Sequence, residues 1–136
     1  MANAFTTQIL EEGPRNVVIK LVGILDTSDL APTLAVDVSA LTCNGTRPAP
    51  TQVRIDTLEY DMSDQLCVQV LWDATADVVA AAFSGRGEYY GKKFSGLQNN
   101  AGAGKTGNIL VKTTGWAAGT QVFTLILEMV KQGPDL

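Results

Sequence analysis

Three pairs of closely spaced aspartates, Asp26/Asp29, Asp61/Asp64 and Asp73/Asp77, are the first groups in this 136-residue sequence with chemistry to offer. Spaced acids serve calcium sites and glycosidases. Calcium takes about six to eight oxygens, often around a glycine turn, and a catalytic carboxylate pair needs a fixed separation across a cleft. No stretch follows the EF-hand order, and each pair sits where aspartate belongs in a turn, accepting backbone hydrogen bonds. The segment Ala103-Gly104-Lys105-Thr106 has the ending of a phosphate-binding loop. Such a loop needs an earlier glycine, a preceding strand and a following helix whose amino end faces the phosphates. Asn99 occupies the earlier glycine's position, and a Val/Ile/Leu/Thr segment follows. The stretch therefore reads as a Gly-rich connection, with Lys105 at its tip as a solvated charge or a contact to an acidic neighbour.

The sequence has no histidine, which excludes a Ser-His-Asp triad and any His-ligated metal. Lys and Arg number 10 against 14 Asp and Glu, a net charge of −4. That balance argues against a nucleic-acid partner, which calls for a basic patch. Arg86, Lys92 and Lys93 interleave with Tyr89, Tyr90 and Phe94. The cluster is small for a single-strand binder and reads better as a solvated edge strand guarded by lysines. Trp72, Trp116, Tyr60, Tyr89 and Tyr90 offer the rings of a sugar-stacking platform, but Trp72 is in phase with a core face, while Trp116 lies in a turn. Cys43 and Cys67 are far apart, one in a loop-like stretch and one in an apolar strand, and read as two unrelated thiols. No cofactor fingerprint is present.

The elements that must position these groups are β throughout. Phe5–Leu10 forms an opening strand, and Gly13-Pro14 a turn. In Asn16–Leu25, Val17, Ile19, Leu21 and Leu25 share one face with Gly23, while Val18, Lys20, Val22 and Ile24 share the other. Two apolar faces mark an interior strand or one whose outer face meets a partner; Gly23 marks a bulge or a close approach of backbone. Further strands are expected at 34–38, at 53–60 with a bulge near Thr57, at 65–73, 78–83, 109–114 and 121–130. Gly85 and Gly87 are expected to break the segment between them. Gly96–Gly107 reads as a mobile Gly/Asn/Ala loop, and both ends of the chain as short flexible arms. About eight strands with frequent turns predict a single all-β domain over 1–136, an antiparallel β-sandwich or jelly roll. No apolar run is long enough for a helical membrane span.

Charged residues make up 18% of the chain, below the usual quarter or so. A small domain short of charge is expected to cover part of its surface with partners.

Four stretches carry a resemblance: Thr7-Gln8-Ile9-Leu10-Glu11-Glu12-Gly13-Pro14-Arg15-Asn16, Gly23-Ile24-Leu25-Asp26-Thr27-Ser28-Asp29-Leu30, Gly96-Leu97-Gln98-Asn99-Asn100-Ala101-Gly102-Ala103-Gly104 and Leu127-Glu128-Met129-Val130-Lys131. The chain resembles small structural proteins of tailed-bacteriophage virions. The resemblance implies a capsid decoration (cement) protein, a homo-oligomer with a trimer favoured, bound to the major capsid protein on the virion surface after assembly in the host cytoplasm. It implies no catalytic residue, cofactor, nucleic acid or membrane. Another coat or tail subunit, or a carbohydrate-binding sandwich, are the alternative expectations. The residues expected at protein contacts are Phe5, Val18, Val22, Ile24, Gln98, Asn99, Asn100, Lys105 and Trp116.

Overall fold

A computed structural model describes residues 3–13, 15–41, 50–63, 65–91 and 96–132. Cys43, Asp64, Lys92, Lys93, Phe94 and the outermost residues of both expected arms lie outside them. The described residues form nine strands: β1 (Ala4–Glu12), β2 (Asn16–Leu25), β3 (Thr33–Val36), β4 (Gln52–Met62), β5 (Cys67–Trp72), β6 (Val78–Ser84), β7 (Arg86–Tyr90), β8 (Ile109–Thr114) and β9 (Gln121–Gln132). A 3-10 turn, Val38–Ala40, follows β3. The strands make a five-stranded sheet in the order β1-β2-β9-β4-β7 and a four-stranded sheet in the order β3-β8-β5-β6. Every pairing is antiparallel. This is the expected all-β sandwich.

The alternation of side chains decides which face is core. Val17, Ile19, Leu21 and Leu25 of β2 are buried together, as the sequence implied, and Phe123, Leu125, Leu127 and Met129 of β9 lie beside them. From the other sheet, Val68, Val70 and Trp72 of β5 and Ile109 and Val111 of β8 complete the core. Each such side chain contributes roughly 1.5–3 kcal/mol by leaving water. Gly23 is a site of close approach. It lies opposite Phe123 on one side and Phe5 on the other. A β-carbon there would lie 2.1 Å from Phe123 Cε1, because that ring covers the glycine, and the Phe5 ring packs 6.1 Å away, centroid to centroid. The β4 bulge falls between Ile55 and Thr57, where it was expected.

Three expectations change. The chain has a ninth strand, β7, where two glycines were expected to interrupt it. Gly85 (φ 76°) turns the chain from β6 in one sheet to β7 in the other. Gly87 sits against Tyr60, which stacks on Phe83 with centroids 4.7 Å apart, and so joins the two sheets at this side. The run Ala80-Ala81-Ala82 is strand rather than helix, since pairing with β5 overrides alanine's propensity. The opening segment is no arm from Ala4 onward: it pairs with β2 along its length.

Lys131 is a further departure from pattern. It follows the core residues of β9 and its side chain is fully buried. Its Nζ donates to Glu12 Oε2 at 2.9 Å and to the Gly13 carbonyl at 2.7 Å, fastening the β1–β2 turn to the end of β9. Breaking a buried pair by removing one partner leaves a charge without compensation. Glu12→Gln is therefore expected to cost about 3 kcal/mol in urea unfolding, whereas Glu12→Leu with Lys131→Met stays within about 1 kcal/mol of the parent. Gly23→Ala is expected to cost about 2 kcal/mol by driving the Phe123 ring from its place, and much of the loss returns in Gly23→Ala/Phe123→Leu.

Candidate functional site

The aspartates singled out by spacing serve the loops. Asp29 Oδ1 accepts from the Trp116 backbone N–H at 2.9 Å and from the Thr113 hydroxyl at 3.2 Å. Asp26 Oδ1 accepts from Thr120 at 2.6 Å, Asp73 Oδ2 from Thr106 at 2.7 Å, and Asp77 Oδ1 from the Ala74 N–H at 3.1 Å. Asp61 faces Arg86 at 3.7 Å on an exposed surface, a contact worth little on its own. Among the described residues, no three His, Cys, Asp or Glu side chains converge to hold a metal ion.

The Gly-rich loop is stitched to the body of the sandwich. Leu97 makes a two-way backbone bridge with Ile55, beyond the end of β7's pairing with β4. The Thr75 N–H donates to the Ala103 carbonyl and the Thr106 N–H to the Asp73 carbonyl. Gly104 (φ 78°) lies against Thr75, and β8 follows where a phosphate loop would have a helix. Among the expected contact residues of this loop, Gln98, Asn100 and Lys105 are exposed, and Lys105 Nζ reaches the Asn99 carbonyl at 3.5 Å. Asn99 is only 8% exposed and caps the loop from inside, its Oδ1 accepting from the Ala101 N–H. It cannot reach a partner as placed.

Phe5 is turned inward onto Phe123 and is half-buried, so it too leaves the set of outward contacts. Trp116 is half-buried against the core, and its indole N–H is held by the Gly119 carbonyl at 3.0 Å. A ring held this way offers no open stacking platform for a sugar. Val18, Val22 and Ile24 do face outward on β2, with Ile24 the most exposed.

The strand register turns these single placements into two outer faces. On the five-stranded sheet, Ile24 lies opposite Val122 at one corner, and Val22 opposite Thr124. The rest of that face is charged: Lys20, Glu59, Asp61, Arg86, Glu88 and Glu128 all point outward. Glu59 lies directly opposite Glu88, a like-charge pairing that weakens the β7 edge.

The four-stranded sheet differs. Leu34, Leu110, Leu71 and Val79 are successive cross-strand partners, so they form one apolar row across all four strands. Leu34 is 48% exposed and Val79 is 50% exposed, while Leu71, in the middle of the row and outside the main core, is 3% exposed. The other outward positions are Cys67, Gln69, Ala82, Ser84, Thr114 and Lys112, and Lys112 is the lone charge among them. Sequence reading missed this row, although it did place Leu71 on the face of Cys67 and Gln69.

No family model matches this chain, and no curated protein matches it either.

Asp29→Ala removes the acceptor that ties Trp116 to β8. It is expected to lower stability by about 1–2 kcal/mol in denaturant unfolding and to shift tryptophan emission to longer wavelength in the folded protein.

Proposed function

We propose that this chain is a non-enzymatic structural subunit of a tailed-phage particle, a decoration protein that binds the major capsid protein and stabilises the head. One observation carries the reading: the outer face of the four-stranded sheet holds a continuous apolar row with Lys112 as its sole charge. Exposed apolar surface of this kind marks a protein contact. The likeness of the opening, Gly-rich and closing stretches to virion proteins supplies the kind of partner. The scaffold beneath is suited to the task, since the Gly-rich loop is fastened by backbone bonds and both sheets close on one core.

A decoration protein acts in many copies on a repeating shell. Modest single contacts then sum through effective concentration, so a small, low-charge face suffices. The charged outer face of the five-stranded sheet would remain toward solvent.

Purified protein mixed with expanded heads is expected to add regular density to the shell in cryo-electron microscopy. Leu34→Glu, a change at an exposed position costing no more than about 0.5 kcal/mol of stability, is expected to abolish that density. Bare heads with the parent protein overturn the reading. So do shells or tubes formed by the protein alone, which identify a coat or tail subunit.

A further inference from the structure

We propose that β6 is a seam at which two copies of this chain join, edge to edge and antiparallel. The sandwich has four edge strands: β1 and β7 in one sheet, β3 and β6 in the other. Edge strands invite pairing with other chains and are usually blunted by charge, shortness or irregularity. Three of the four are blunted that way. β1 carries Glu11 and Glu12 with a register shift beside them, β7 has five residues including Arg86 and Glu88, and β3 has only four residues and a register shift. β6 reads Val-Val-Ala-Ala-Ala-Phe-Ser. It has no charge, no proline and no glycine over seven residues, and its one irregularity is the register shift opposite Val70/Leu71. Its single strand neighbour is β5, so alternate N–H and C=O groups point away from the sheet.

The charges at its two ends choose the occupant and the direction. Asp77 precedes β6, and Arg86 follows one residue after it; both are exposed. Antiparallel pairing of two identical strands sets the start of each beside the end of the other. Asp77 of one copy then lies at the end carrying Arg86 of the second copy, and the same pair recurs at the other end. Parallel pairing would set Asp77 beside Asp77. A second copy therefore supplies opposite charge at both ends and no charge between them. Pairing also shelters Val79, half-exposed on this strand, and joins two four-stranded sheets into one of eight. The symmetry is two-fold, in place of the trimer that the resemblance implies.

Sedimentation velocity over a wide concentration range tests the seam. The parent protein is expected to be a dimer at high concentration. Ala82→Lys puts a charge on the exposed outward side of β6 and is expected to weaken the dimer at least about tenfold, with circular dichroism and thermal unfolding unchanged. Ser84→Lys, also exposed and outward, gives the same result should Ala82→Lys fail to fold. Asp77→Arg and Arg86→Asp are each expected to weaken self-association about three- to tenfold. Mixing these two variants restores pairing, because the mixed dimer has opposite charges at both ends. A parent protein that stays monomeric or forms trimers overturns the proposal, as does a dimer indifferent to both lysine variants or a mixture no tighter than its components. Dimers that persist while heads stay bare count against the decoration reading alone.

Discussion

The structure rests on the two-residue alternation of β9. This strand lies between β2 and β4 and pairs with both along nearly its whole length. Phe123, Leu125, Leu127 and Met129 on one side form the floor of the core; Val122, Thr124, Ile126 and Glu128 face out. A slip of one residue would exchange the two sets and carry Glu128 inward. Two features hold the register at opposite ends. At one, the Phe123 ring fits only over a residue without a side chain, and Gly23 is that residue. At the other, Lys131 finds Glu12 and the Gly13 carbonyl only in this alignment. Once β9 is fixed, β2 and β4 follow, and then the edge strands that pair with them.

Where a pattern was local, the sequence showed it. The alternation of Val17, Ile19, Leu21 and Leu25, the core phase of Trp72 and the bulge near Thr57 all depend on neighbours within one strand. β7 was hidden because Gly85 and Gly87 look alike in sequence but do different things. One turns the chain between sheets, and the other makes room for Tyr60. Asn99 read as a polar loop residue, and only the Leu97–Ile55 bridge, a contact across more than forty residues, shows that the loop folds back and draws it inside. Lys131 gave no sign of burial, since its partners come from the far end of the chain. The row Leu34, Leu110, Leu71, Val79 is the plainest case. Its members are scattered in sequence and become neighbours only through the order β3-β8-β5-β6.

That order also explains the shortage of charge. The deficit is unevenly spread: the five-stranded sheet carries charge of both signs on its outer face, and the four-stranded sheet carries almost none. A domain with one wetted face and one bare face has a built-in orientation. It can present the bare side to protein and the charged side to water, without any moving part.

The first and last strands flank β2 and both run opposite to it, so Ala4 lies near Val122 while Gln132 lies at the far end of the sandwich. Tension drawn between those two points acts along the strands. It loads the ladders on either side of β2 in shear, so the rungs must fail together rather than unzip one by one, and the salt-bridged corner at Lys131 shares the load. A scaffold strung this way resists stretching from pole to pole far better than peeling from its side.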